Sequence, residues 1–266
     1  MALNLSIPFN NFTKKDKLDI KLAKKLGCEW VALSYVENAK LIYKAKKLLG
    51  KNIGIISKIE NKVAVKNIDE IIKASDAIMI ARGDLALDVG HSEVPKIQLD
   101  LIKKCNRNSK AVIVATQMLE SMINNFTATR AEINDIATAI FQGADTVMLS
   151  AETAVGKYPV QAVKTMFKTI VSTEAYKKEH IEDFKSSIEV KRDPIKSIVL
   201  SVKDLAYNPS VKAIIAFSNS GTTAKLVSAV RPRVKIITIS PNIICLLYTS
   251  DAADEGLGVD LGGRRI

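Results

Sequence analysis

Short apolar segments alternate with longer amphipathic segments up to about residue 176. Each apolar run has the length of a buried strand and is followed by apolar positions that recur at helical spacing. The predicted strands cover residues 30–35, 53–57, 77–81, 111–115 and 146–150. Near-continuous apolar strands that alternate with helices are typical of a parallel sheet covered by helices. We therefore predict an α/β fold.

Three helix starts carry local signals. Thr129-Arg130-Ala131-Glu132 has the spacing of a capping box, in which the first and last side chains each bond the other's backbone N–H. Thr13 is expected to cap the first helix, and Pro159 to open the helix after the fifth strand.

Polar residues lie at or just after the end of every predicted strand. They are Ser34 and Tyr35, Lys58 and Glu60, Arg82 and Asp84, Thr116 and Gln117, and Ser150 and Glu152. A (β/α)8 barrel collects its active site from the carboxyl ends of many strands, whereas a doubly wound sheet uses fewer strands near one switch point. We therefore predict a partial TIM-type barrel of about five βα units. Because closure takes eight strands, we expect the first three strands to be lacking.

The chain is expected to contain a second, smaller unit. The predicted divisions are a partial barrel domain at 1–176, a charged connector at 177–193, a truncated α/β domain at 194–245, and a tail at 246–266. The small domain has predicted strands at 211–217 and 234–239. No lysine occurs after Lys235 and glycines crowd the end, so we expect the tail to be non-native or disordered.

Composition narrows the class of protein. The hydrophobic fraction of 47% supports a sizeable core, and no apolar run is long enough to cross a bilayer. Three scattered cysteines fit neither a disulfide framework nor a zinc site, which favours a cytoplasmic protein. The net charge is +11, but the lysines are spread out and no basic cluster includes aromatic residues. We expect neither nucleic acid nor a membrane as partner.

The candidate chemistry begins with Lys58 and Glu60, which point to the same side of an extended segment. Together they can bind a divalent metal and a phosphate, or form a surface ion pair worth about a few tenths of a kcal/mol. Asp84 offers a second hard oxygen ligand for Mg²⁺, and Gly83 lets the backbone approach an anion. Hydroxyl groups of Thr116 and Ser150 can bond a carboxylate or relay protons, although a helix-capping role fits equally well.

A further candidate lies in the small domain. The hydroxyl and N–H groups of a turn before a helix can form an anion site, or the turn can be an ordinary helix cap. This turn consists of Ser218, Asn219, Ser220, Gly221, Thr222 and Thr223.

Several motifs resemble the pyruvate kinase family, in its order and at its spacing, over roughly residues 5–242. They are Ile56-Ser57-Lys58-Ile59-Glu60-Asn61, Arg82-Gly83-Asp84-Leu85, Ala115-Thr116-Gln117-Met118-Leu119-Glu120-Ser121-Met122, Thr129-Arg130-Ala131-Glu132 and Met148-Leu149-Ser150-Ala151-Glu152-Thr153-Ala154. The sequence has Ala86 and Ala151 where that family usually has glycine. Each adds one methyl group, which is tolerable where the backbone has negative φ.

The resemblance implies transfer of the phosphoryl group of phosphoenolpyruvate to ADP, giving pyruvate and ATP. Glu60 and Asp84 would hold Mg²⁺ or Mn²⁺, and Lys58 would neutralise charge on the phosphoryl group and the enolate. The substrate carboxylate would be held by the backbone N–H groups of Gly83 and Asp84 together with Thr116. Thr116 and Ser150 would lie on the proton path to the enolate carbon.

The resemblance also implies K⁺, whose ligands the family carries on strands without a counterpart in this sequence. It implies a homotetramer for the full-length family, and a sugar-phosphate or phosphate effector at the turn 218–223. We expect this chain alone to be inactive. Two alternatives are a metal-dependent pyruvate or phosphoenolpyruvate lyase or aldolase, and a non-catalytic effector-binding fragment.

Overall fold

The computed structural model describes residues 12–180, 194–241 and 259–260. The predicted connector from residue 181 onward and most of the predicted tail lie outside these ranges. The chain divides into two compact units, Met1–Lys177 and Lys178–Ile266.

Strands and helices alternate along the described part of the first unit. The elements are α1 Lys14–Lys25, β1 Trp30–Leu33, α2 Ala39–Leu49, β2 Gly54–Ile59, α3 Lys62–Lys66, α4 Ile68–Ala74, β3 Ala77–Ala81, α5 Arg82–Val89, α6 Val94–Arg107, β4 Ala111–Ala115, α7 Arg130–Gln142, β5 Thr146–Met148, α8 Ala151–Ala154 and α9 Pro159–His180. Helix α9 therefore extends four residues beyond the predicted end of the barrel domain at 176.

The first five strands form one sheet in the order β1-β2-β3-β4-β5, and all neighbouring strands are parallel. The predicted α/β class with five βα units is confirmed. Strand β1 ends two residues earlier than predicted, because Tyr35 has a φ of 51° and has left the extended conformation. Strand β5 also ends two residues early, because Ser150 already serves as the N-cap of α8.

Helices cover one face of this sheet. Helix α2 packs on α1 and α4, α4 packs on α6, and α6 packs on α7. The Ser57 Oγ lies 2.7 Å from the Ser75 Oγ at the end of α4, so alternate residues of β2 face the helices. Lys58 consequently faces the opposite side of the sheet, where it is only partly covered.

The predicted helix starts are confirmed. Thr13 and Thr129 each accept a hydrogen bond from the N–H three residues on, and Asp16 and Glu132 complete the two capping boxes. Each box satisfies two backbone donors that a helix N-terminus leaves without partners. Pro159 is the first residue of α9.

The second unit consists, in its described part, of α10 Pro194–Leu205, β6 Ala213–Phe217, α11 Thr222–Ala229, β7 Lys235–Ile239 and β8 Val259–Asp260. Strands β6 and β7 are parallel, and β8 pairs antiparallel with β7. A small apolar core is formed by Val199, Val227, Val230 and Ile236. Across both units, no described helix combines the length and the apolar character needed to cross a membrane.

Candidate active site

The carboxyl ends of the five parallel strands bring the predicted site residues to one edge of the sheet. Lys58 lies near the end of β2, and Glu60 directly follows that strand. Gly83 and Asp84 lie in the first turn of α5. Thr116 directly follows β4, and Ser150 caps α8 after β5.

Lys58 and Glu60 form a largely buried ion pair. The Lys58 Nζ lies 2.6 Å from the Glu60 Oε1, with side-chain exposures of 25% and 1% respectively. Lys58 also donates to the Ser34 Oγ at 3.0 Å, and the Tyr35 backbone N–H donates to the Glu60 Oε2 at 2.5 Å. The pair therefore differs from the exposed surface pair that the sequence also allowed.

Both carboxylate oxygens of Glu60 have a partner in the described residues. Its buried Oε1 lies 2.6 Å from the Lys58 ammonium, and its Oε2 accepts the Tyr35 N–H. Each carboxylate oxygen has two lone pairs and is the kind of hard ligand that Mg²⁺ prefers. Within the described ranges, no three Asp, Glu, His or Cys side chains form a metal cluster. Mg²⁺ typically takes one or two carboxylates together with substrate oxygens and water, and Glu60 and Asp84 are carboxylates at this edge of the sheet.

Tyr35 connects the two candidate ligands and was not predicted as a site residue. The pKa of its phenol is raised, mainly by the negative charge of Asp84, then by burial and by Glu60, while Lys58 acts in the opposite direction. The charges of Asp84, Glu60 and Lys58 therefore all act on this phenol. The sequence signal for Tyr35 was its position after the first strand.

Gly83 and Thr116 contact each other directly. The Gly83 backbone N–H donates to the Thr116 Oγ1 at 2.9 Å. Both residues were predicted to hold the substrate carboxylate, and here the Thr116 hydroxyl already accepts the Gly83 N–H. A substrate carboxylate would have to share or replace this bond.

Glu152 joins the loop after β4 to the loop after β5. It is 2% exposed, and its two carboxylate oxygens accept from the Leu119 N–H at 3.1 Å and the Ser150 N–H at 2.8 Å. The backbone of Ser150 is thereby tied to the segment that follows Thr116. Sequence reasoning placed Glu152 after a strand but gave it no role, because its partner Leu119 belongs to a different βα unit.

The two alanines that stand where glycine was expected are accommodated. Ala86 lies inside α5 and Ala151 opens α8. Neither is among the residues with positive φ. The condition for tolerating the added methyl groups is therefore met.

The candidate effector turn leads from β6 into α11. Gly221 is the N-cap of α11 with a φ of 77°, and no side chain caps this helix. The Ser220 and Thr222 hydroxyl groups lie 2.9 Å apart, and the Ser218 N–H donates to the Ile239 carbonyl. The turn thus presents hydroxyl groups beside a helix N-terminus.

The fold and the side chains at the sheet edge define a β/α-barrel protein with carboxylates, a lysine and hydroxyl groups at the strand carboxyl ends, where such proteins place their active sites. Residues 2–163 match the family model of the pyruvate kinase barrel domain, and residues 196–250 match that of the pyruvate kinase alpha/beta domain. The chain belongs to the pyruvate kinase family. The second match includes residues 246–250, the first five residues of the segment expected to be non-native.

Similar curated proteins carry the same family name. A pyruvate kinase of Staphylococcus saprophyticus is 44% identical, over 91% of this chain and 42% of its own length. One from Agrobacterium vitis is 41% identical, over 86% of this chain and 48% of its own length. This chain spans less than half the length of these relatives. The family assignment disfavours the lyase or aldolase alternative.

Proposed function

We propose that this chain carries the part of a pyruvate kinase active site that binds the divalent metal and the phosphoryl group of phosphoenolpyruvate. The reaction would be phosphoryl transfer to ADP, giving pyruvate and ATP. The supporting observation is the buried Glu60 carboxylate beside Lys58 at the carboxyl edge of the sheet. A buried carboxylate paired with an ammonium group suits a metal and an anion bound side by side.

In this proposal Glu60 and Asp84 hold Mg²⁺ or Mn²⁺, which when bound neutralises charge on the transferred phosphoryl group. The hydrogen bond from the Tyr35 N–H to the Glu60 Oε2 fixes the orientation of the carboxylate and so directs Oε1 toward the metal. Lys58 places its ammonium group against the phosphoryl group and the enolate. Such positioning and electrostatic stabilisation supply most of the catalysis in phosphoryl transfer.

Thr116 and the first turn of α5 bind the substrate carboxylate in this scheme. The Gly83 and Asp84 N–H groups belong to a helix N-terminus, which favours anions. The Thr116 and Ser150 hydroxyl groups serve the proton path to the enolate carbon. Glu152 supports this arrangement because it ties the Ser150 backbone to the loop that carries Thr116.

We also propose the remaining family properties for the full-length protein: a K⁺ requirement, a homotetramer, a cytoplasmic location, and binding of a phosphate or sugar-phosphate effector at Ser218 to Thr223. The support for the effector site is the N-terminus of α11, which has no side-chain cap and lies beside the Ser220 and Thr222 hydroxyl groups.

Binding of Mn²⁺ tests the metal site independently of turnover. The 266-residue chain is titrated with Mn²⁺, with and without phosphoenolpyruvate, and free Mn²⁺ is measured by electron paramagnetic resonance. Glu60→Gln should weaken binding by at least about tenfold, because it removes a ligand charge. Glu93→Gln removes a carboxylate from an exposed pair with Lys96 and serves as the control. Equal Mn²⁺ affinity in both variants would contradict the assignment of Glu60.

A further inference from the structure

A buried arginine at the start of α5 contacts the loop after β4 through most of its guanidinium group. The Arg82 side chain is 8% exposed. Its Nε and Nη2 donate to the Thr116 carbonyl at 3.2 and 2.7 Å, and Nη2 also contacts the Gln117 carbonyl at 3.1 Å and the Met118 Sδ at 2.8 Å. The remaining nitrogen, Nη1, donates to the Asp135 carboxylate on α7 at 2.6 Å. The guanidinium thus joins three elements.

The loop that Arg82 contacts has an unfavourable backbone conformation. Thr116 and Gln117 have φ values of 71° and 55°. Positive φ is uncommon for residues other than glycine, and least favourable for a β-branched residue such as threonine. Two such residues in succession persist only where the surroundings hold them. The carbonyl groups of these same two residues accept the Arg82 hydrogen bonds.

We infer that Arg82, oriented by Asp135, is a positioning residue that holds the Thr116–Gln117 turn in its left-handed conformation and thereby aims the Thr116 hydroxyl at the Gly83 N–H. The part of this inference that concerns substrate rests on the proposed function of Thr116. The geometric part does not, because it follows from the contacts of Arg82 and the φ values of the turn.

The contacts require a guanidinium rather than any cation. One planar group reaches two successive carbonyl groups on one side and a carboxylate on the other. Lysine offers a single ammonium group that cannot span these acceptors. Replacing Asp135 would leave Arg82 in place but would no longer fix the orientation of its guanidinium group, since Nη1 donates to the Asp135 carboxylate.

Amide hydrogen exchange at Gly83 measures the position of the Thr116 hydroxyl without any ligand. In the full chain, Arg82→Lys and Asp135→Asn should each speed exchange of the Gly83 amide by at least about tenfold. Adding Gln117→Gly to Arg82→Lys should recover much of the protection, because glycine adopts positive φ without a side-chain penalty. Asp69→Asn breaks an exposed pair with Lys104 in the same unit and is the matched control, with no change expected.

Unchanged Gly83 exchange in Arg82→Lys would overturn the inference. Acceleration of the same size at buried amides of β2 and β3 would also overturn it, since that would mean a general loss of stability. Failure of Gln117→Gly to recover protection would overturn it as well.

Phosphoenolpyruvate binding in the presence of Mn²⁺ is measured on the same variants. Weaker binding that Gln117→Gly restores is the expected result. Changed Gly83 exchange in a chain that binds no phosphoenolpyruvate would refute the proposed function and leave the positioning role of Arg82 in place.

Discussion

At the scale of single residues, burial decides what the Lys58–Glu60 pair can do. The two-residue spacing on a strand shows only that the side chains point the same way. The structure adds that the Tyr35 N–H and the Ser34 hydroxyl, from the neighbouring strand end, enclose the pair. An ionised carboxylate removed from water requires compensating partners, so Lys58 has a structural role as well as its proposed chemical one.

Replacing Lys58 by methionine tests this structural role. Lys58→Met keeps the aliphatic stem but leaves the buried Glu60 carboxylate without its cation. We expect the free energy of unfolding at neutral pH to fall by about 1–3 kcal/mol, measured by urea denaturation. Adding Glu60→Gln should recover part of the loss. The control is Lys96→Met, whose partner Glu93 is exposed, with an expected change of about 0.5 kcal/mol or less; equal losses in the two variants would refute the argument.

At the scale of elements, the start of α7 also anchors the loop after β4. Glu132 completes the capping box with Thr129, and its carboxylate accepts from the Ser121 N–H at 2.7 Å and the Ser121 Oγ at 2.6 Å. Burial alone would raise the pKa of Glu132, but the hydrogen bonds from Ser121 and Thr129 outweigh it, and the net pKa is lowered. A carboxyl group with a lowered pKa in the folded state stabilises the fold above its unfolded pKa.

This stabilisation should be lost in acid. As the pH falls below the ordinary Glu132 value of 4.5 and through its folded pKa, the carboxylate takes up a proton and loses acceptor capacity. At neutral pH, Glu132→Gln should cost about 1 kcal/mol of unfolding free energy. The difference between wild type and variant should shrink progressively below pH 4.5. Urea denaturation at a series of pH values measures this difference in unfolding free energy. A difference that does not change with pH would contradict the stabilising role of the Glu132 carboxylate. Glu93→Gln is the control, because Glu93 is exposed.

The sequence predicted elements better than it predicted the contacts between them. The runs 77–81 and 111–115 match β3 and β4 residue for residue, because each run is apolar from end to end. The ends of β1 and β5 were missed, since the positive φ of Tyr35 and the cap at Ser150 depend on neighbouring loops. The Arg82–Asp135 pair joins residues that are 53 positions apart, so no local spacing could reveal it.

At the scale of the whole first unit, the first and the last described helices each expose a row of apolar side chains. Strands β1 and β5 are the outer strands of the five-stranded order. Helix α1, which precedes β1, exposes Leu18 and Leu22 together with its C-cap Leu26. Helix α9, which follows β5, exposes Val160, Val163, Phe167 and Val171. These positions recur at helical spacing, so each helix presents an apolar stripe. Such stripes and strand edges are the surfaces that further βα units of a barrel would cover.

This distribution leads to a prediction about turnover. The 266-residue chain alone should form no pyruvate from phosphoenolpyruvate and ADP with Mg²⁺ and K⁺, because the five parallel strands that the structure describes do not close an eight-stranded barrel. Co-expression with the N-terminal part of a full-length pyruvate kinase should restore turnover by covering the two sheet edges. The same complementation with Glu60→Gln should fail if Glu60 is a metal ligand, as we propose. Clear turnover by the chain alone would mean that the chemistry needs fewer residues than we assign to it, and restored turnover with Glu60→Gln would place the metal elsewhere.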